Sequence, residues 1–164
     1  MRRVLAVGVA ALVVSGGVVA PAGAVGGVGT AVRPFGGPEA DLAYHGAASM
    51  AGGRVDVRFT PRNHGPSDLP DATVRLRWSV PLAHGQVLPG GCARSGPRVV
   101  LCRVGALAAD DLGAPISMRV RLKDAPSEVL LELDTVWSGG AVDHNRANDQ
   151  QRVLVLDSGD EYYF

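Results

Sequence analysis

The sequence predicts an all-β fold, an antiparallel β-sandwich of about seven short strands. Three observations predict it. Apolar and polar residues alternate with period two in four separate runs, the pattern of strands with one buried face. Clusters of Gly, Pro, Asn, Asp and Ser punctuate the chain between those runs. The 164 residues include 22 Gly and 11 Pro, which argues against long uninterrupted helices.

In chain order, residues 1–24 have the anatomy of a secretory signal peptide. Met1-Arg2-Arg3 supplies a positive start, residues 4–14 are apolar apart from Gly8, and Ala22-Gly23-Ala24 is a small-x-small cleavage pattern. Gly16-Gly17 and Pro21 weaken the segment as a retained anchor, so no stable membrane span is expected after signal cleavage. Its removal leaves 14 basic against 16 acidic residues. That balance gives no reason to expect nucleic acid or an anionic membrane as partner. Residues 25–38, VGGVGTAVRPFGGP, read as a flexible Gly/Pro linker. The folded unit is expected over residues 39–157, and residues 158–164 are expected to form a disordered tail.

Within the folded unit, residues 41–44 read as a leading strand. Val55, Val57 and Phe59 alternate with Arg54, Asp56 and Arg58. Val74, Leu76 and Trp78 alternate with Arg75 and Arg77, and Ile116, Met118, Val120 and Leu122 with Ser117, Arg119 and Arg121. Val129, Leu131 and Leu133 alternate with Glu132 and Asp134. Residues 98–104 and 153–156 complete the count, and residues 105–111 offer the one candidate helical turn. Trp78 and Trp137 both occupy inward positions by this parity, which reads as core packing. Two arrangements satisfy the charges. Strands 116–123 and 128–135 form a hairpin with Arg119 opposite Glu132 and Lys123 opposite Glu128, or they belong to different sheets and the face carrying Glu132 and Asp134 lies beside the strand carrying Arg75 and Arg77.

Cys92 and Cys102 are the two cysteines of a chain with an export signal, and an even count in an oxidising compartment reads as a disulfide. Closing so short a loop is worth about 2–3 kcal/mol in the chain-entropy view. The four histidines have no HExxH or other paired-ligand spacing, and GxSxG and GxxxxGK[ST] are both absent. The residues therefore predict a non-enzyme without cofactor or resident metal. The richest polar stretch is residues 143–149, where Asp143, Asn145, Asn148 and Asp149 offer oxygens suited to calcium. The plainer reading has those side chains shaping a loop through their own backbone. Arg54, Arg58, Arg75, Arg77, Arg119 and Arg121 all take outward strand positions. Gathered on one face they would attract an anionic wall polymer; interleaved with acids they keep the sheets soluble and unaggregated.

One combination is more specific than strand counting. Asn63-His64-Gly65-Pro66-Ser67 ends a strand, Asp71-Ala72-Thr73-Val74 opens the next, and Cys92 and Cys102 bracket a Gly-containing turn. Gly105-Ala106-Leu107 follows, then Asp143-His144-Asn145-Arg146-Ala147-Asn148-Asp149 before the last strand. In order and spacing the set resembles the bacterial repeat family called domain of unknown function 11, across roughly residues 41–157. That family's pattern runs N-x-G-P-S, strand, Cys, turn, Cys, an LG-L step and D-x-N-x-x-N-N. The resemblance implies an immunoglobulin-like Greek-key sandwich in secreted or surface-attached proteins, with the cysteines disulfide-bonded, residues 63–67 a turn and no catalytic residues. It favours the arrangement with strands 116–123 and 128–135 in different sheets. The chain departs from the family in having Asp149 at the final Asn of the motif.

The resulting expectation is a secreted, non-catalytic module that contacts an extracellular protein or a cell-wall polymer. The alternatives are an inhibitor or effector acting through the disulfide-bounded loop 92–102, and a polysaccharide-binding module using the outward arginines.

Overall fold

A computed structural model describes residues 37–164. The predicted signal peptide and nearly all of the predicted linker lie outside the described residues. The described chain is all-β, without a helix. Its strands are β1 (Glu39–Ala40), β2 (Leu42–Ala51), β3 (Arg54–Asn63), β4 (Thr73–Trp78), β5 (Cys92–Gly96) and β6 (Val99–Arg103). They continue with β7 (Asp111–Leu112), β8 (Ile116–Arg121), β9 (Glu128–Trp137), β10 (Val142–Asp143), β11 (Gln150–Leu156) and β12 (Glu161–Tyr163). The order in one antiparallel sheet is β11-β9-β4-β6-β5. The other runs β12-β2-β3, with both β7 and β8 pairing with β3. A short parallel pair, β1 with β10, ties the leading segment to the chain entering the 143–149 loop.

The alternation does what it promised. Val55, Val57 and Phe59 from one sheet meet Leu76, Trp78, Leu131 and Leu133 from the other in a single buried cluster. Burial of each such side chain stabilises by about 1.5–3 kcal/mol, which is what drives the two sheets together. Tyr44 stands edge-on to Phe59, with ring centroids 5.9 Å apart. Strands β8 and β9 pair in different sheets. In register, Arg75 faces Asp134 and Arg77 faces Glu132, so the local hairpin between β8 and β9 is excluded.

Four expectations are corrected. The leading strand is longer than residues 41–44, because β2 continues through Gly46, Ala47 and Ala48. These small residues show no alternation, and at Gly46 smallness is required: a side chain there would strike the Arg58 carbonyl on β3. Residues 105–111 form no helical turn. Trp137 keeps inward parity in the sequence yet is 48% exposed. The β4–β9 register slips there, with Val74 opposite Thr135 and Thr73 opposite Trp137, so the unpaired Val136 turns the ring outward. The tail expected to be disordered instead forms β12, where Tyr162 pairs with Ala48 and packs against the core together with Phe164. Alternating burial of Tyr162 between exposed Glu161 and Tyr163 is a strand pattern too short to read from three residues.

Candidate functional site

Two parts of the molecule concentrate polar side chains: the turn-and-loop cluster around residues 39–42, and the outward face of β2, β3 and β8.

The first begins with Asn63, a fully buried amide at the end of β3. Its Nδ2 donates to the Ser67 carbonyl at 2.8 Å and to the Ala108 carbonyl at 3.2 Å. Its Oδ1 accepts from the backbone of Gly65 at 3.0 Å and of Asp41 at 3.4 Å. The turn it shapes grips the leading segment: His64 N–H donates to the Asp41 carbonyl, and Ser67 N–H to the Glu39 carbonyl. Gly65 lies so close that a Cβ there would sit 2.6 Å from Ala40 Cα.

The 143–149 loop grips the same segment from the other side. Asp143 Oδ2 accepts from Leu42 N–H at 2.9 Å and Oδ1 from Asn145 N–H at 2.9 Å. Asn148 Nδ2 donates to Asp41 Oδ1 at 2.6 Å, and Asn145 Nδ2 reaches the same oxygen at 3.4 Å. Asp149 is fully buried, with Arg146 Nη1 at 3.0 Å from its Oδ2. Burial pushes its carboxyl above the ordinary aspartate range. Beside it the Tyr44 hydroxyl shares a 2.7 Å hydrogen bond with Thr135, and burial raises its pKa as well. The residues singled out for calcium are thus brought together, but three of the four turn their polar atoms onto protein groups of the loop and the leading segment. Among the described residues no group of three or more His, Cys, Asp or Glu is arranged to hold a metal ion.

Asp71 entered the sequence reading only as the first residue of the Asp71-Ala72-Thr73-Val74 motif, and its bonding role was not read. Its buried carboxylate accepts from Ala72 and Gly105 N–H and pairs with Arg103, tying the start of β4 to the Gly105-Ala106-Leu107 step. The available signal was its place just before a strand that opens with Thr73-Val74.

The cysteines are joined: Cys92 and Cys102 form a disulfide directly across the β5–β6 pair. The segment read as a disulfide-bounded loop is therefore a hairpin. Arg94 fastens it to the preceding loop, donating to the carbonyls of Ala83 and Leu82 at 2.9 and 3.0 Å.

The six outward arginines are divided between the sheets. Arg75 and Arg77 lie on the β4–β9 face, ion-paired with Asp134 and Glu132 at 2.7 and 2.6 Å. Arg54, Arg58, Arg119 and Arg121 share the β3–β8 face. There Arg58 meets Glu161 at 2.7 Å and Arg119 meets Asp56 at 2.6 Å. The Tyr163 hydroxyl and the Arg58 guanidinium hold the Glu161 carboxyl below its ordinary range. A cleft of about 460 Å³ lies over Ala47, Ser49 and Ser117, walled by the two ion pairs. A second, of about 450 Å³, lies between Arg54, Arg119 and Arg121 and the Gly85-Gln86-Val87 loop.

No family model matches the chain, and no curated protein matches it. Among solved structures, beta-glucosidase 3B from Thermotoga neapolitana in complex with alpha-D-glucose aligns with 76% of this chain at 11% identity and a TM-score of 0.46. The chain spans 17% of that protein's length. A likeness at that level carries nothing about activity.

Proposed function

We propose that this chain is a secreted, non-catalytic immunoglobulin-like module of the domain of unknown function 11 type, working by contact outside the cell or in its envelope. The observation that carries the reading is where the polar motifs spend their side chains. Asn63, Asp71, Asp143 and Asn148 are directed at backbone groups or at the leading segment, a scaffold's use of polar residues and not a reaction centre's. The disulfide between Cys92 and Cys102 agrees with folding in an oxidising compartment. The export-type N-terminus supports the same compartment. A module of this kind offers a rigid framework, and its partner meets an outward face.

The test is co-sedimentation of the oxidised protein with purified bacterial envelopes at low and high salt. Pelleting that weakens as salt rises is the expected result, since exposed charges are screened within about 8–10 Å at 0.1–0.15 M. Protein left wholly in the supernatant at low salt overturns the envelope reading.

A further inference from the structure

Two of the six outward arginines, Arg54 and Arg121, have no acidic partner among the described residues. Arg54 and Arg121 stand directly opposite each other across β3 and β8. Like charges in that position destabilise a strand pair, and neither takes part in an ion pair of the kind that neutralises Arg58 and Arg119. An anion between them would relieve the repulsion.

The surroundings are ordered to receive one. Arg121 Nη2 donates to the His84 carbonyl at 3.2 Å, which fixes the guanidinium at the cleft wall. Gln86 clasps the same residue's backbone: Nε2 donates to the Arg121 carbonyl at 2.8 Å, and Oε1 accepts from its N–H at 3.0 Å. Val87 projects beside the cleft, 87% exposed. The site does not end there. Arg119 lines both clefts, so one track runs along β3 and β8 from Arg54 and Arg121 to Arg58 and Ser117. Four strand residues cover about 13 Å.

We propose that this track binds a linear anionic glycan, with Arg54 and Arg121 holding its acidic group. The inference rests on the reading of the chain as an extracellular contact module. Charge complementarity selects the oxyanion. The floor selects sugar over peptide. Ser49 and Ser117 line it, and Tyr163 stands at the register position beside Ala47, 72% exposed. These are groups for sugar hydroxyls and ring faces. An acidic peptide would use the free edge of β8 by strand addition. At Arg121 that edge is already taken by Ala83 N–H and the Gln86 carboxamide.

The experiment measures binding of the full exported chain to four immobilised polymers: polygalacturonate, dextran sulfate, neutral dextran and polyglutamate. At about 50 mM salt the protein is expected on polygalacturonate or dextran sulfate, and the stronger of the two identifies the acidic group. Neutral dextran and polyglutamate are expected to retain little. The double variant Arg54→Gln/Arg121→Gln is expected to bind about tenfold more weakly or worse, while Arg75→Gln/Arg77→Gln on the other sheet stays within about twofold. A folding readout accompanies both. Polymer raises the melting temperature of the wild type and leaves that of Arg54→Gln/Arg121→Gln unchanged. Equal loss in the two double variants overturns the site, as does polyglutamate binding as tight as polygalacturonate, or no binding of the wild type to either acidic glycan. Envelope pelleting separates the two proposals. If Arg54→Gln/Arg121→Gln pellets like the wild type, this face is overturned and the module reading stands. If the wild type itself does not pellet, the envelope reading falls.

Discussion

The two ends of the described chain are both fastened near β2, by opposite means. At the N-terminal end, residues 39–42 are gripped by buried or half-buried amides and carboxylates that bond their backbone N–H groups and the Asp41 side chain. At the C-terminal end, β12 lies along Ala47, Ala48 and Ser49 through its ladder, and its outward contacts are the exposed Arg58–Glu161 pair and the Tyr163 hydroxyl on Glu161. Water competes poorly for the first set and freely for the second. The difference teaches that a polar contact stabilises according to what it leaves behind when broken: a buried unpaired group in one case, a solvated charge in the other.

The sharpest way to break this comparison is at Asn63. Asn63→Leu removes partners from two N–H groups and two carbonyls in a buried turn, and is expected to cost about 3 kcal/mol in urea denaturation. Gly65→Ala tests the same grip by sterics and is expected to destabilise too, because the new Cβ would meet the Ala40 backbone at 2.6 Å. Asp143→Ala removes the acceptor of the Leu42 and Asn145 N–H groups and should cost about 1–2 kcal/mol.

Titration sharpens the contrast, because the two ends respond to pH with opposite sign. Asp149 has a raised folded-state pKa. Its contribution is fully present below the unfolded aspartate value and is lost as pH rises through the folded one. Asp149→Asn should therefore gain stability relative to the wild type across that window, measured as the difference between their unfolding free energies at each pH. Glu161 has a lowered folded-state pKa, so its contribution is present above the unfolded glutamate value and is lost as pH falls through the folded one. Glu161→Gln is the smallest effect expected. The global unfolding midpoint should hardly move, while hydrogen exchange quickens at the amides of β12 and its pairing segment on β2. A loss as large as that of Asn63→Leu would erase the distinction between the two ends.

The same division explains what could be read from the sequence. Strands β3, β4, β8 and β9 were legible because each buries one face, so that period two is written into Val55-Val57-Phe59 and Val129-Leu131-Leu133. The charges allowed two pairings of β9, and the family resemblance favoured the one found, in which β9 lies beside β4 in the same sheet with Arg75 opposite Asp134 and Arg77 opposite Glu132. Strand β5 was not, since Ala93, Arg94 and Ser95 are exposed and the strand is defined by its partner β6. Nor was the second half of β2, where Gly46, Ala47 and Ala48 show no alternation and Gly46 is required by the closeness of the β3 backbone. Trp137 was misjudged because a bulge resets parity without a local mark in the sequence. The six arginines were identified, but their division between two sheets depends on long-range topology. That division leaves Arg54 facing Arg121, a pairing no local pattern contains.

The parallel pairing of β1 with β10 also bears on how the molecule would carry load. Tension applied at the start of β1 and at the end of β10 would draw these parallel strands in opposite directions along their common axis. Their ladder is then sheared, and its bonds must fail together instead of unzipping one after another. Asp143 on Leu42 and Asn148 on Asp41 add cross-links at the same junction. The leading segment thus serves as a tether point, with its strength set by geometry more than by the number of bonds.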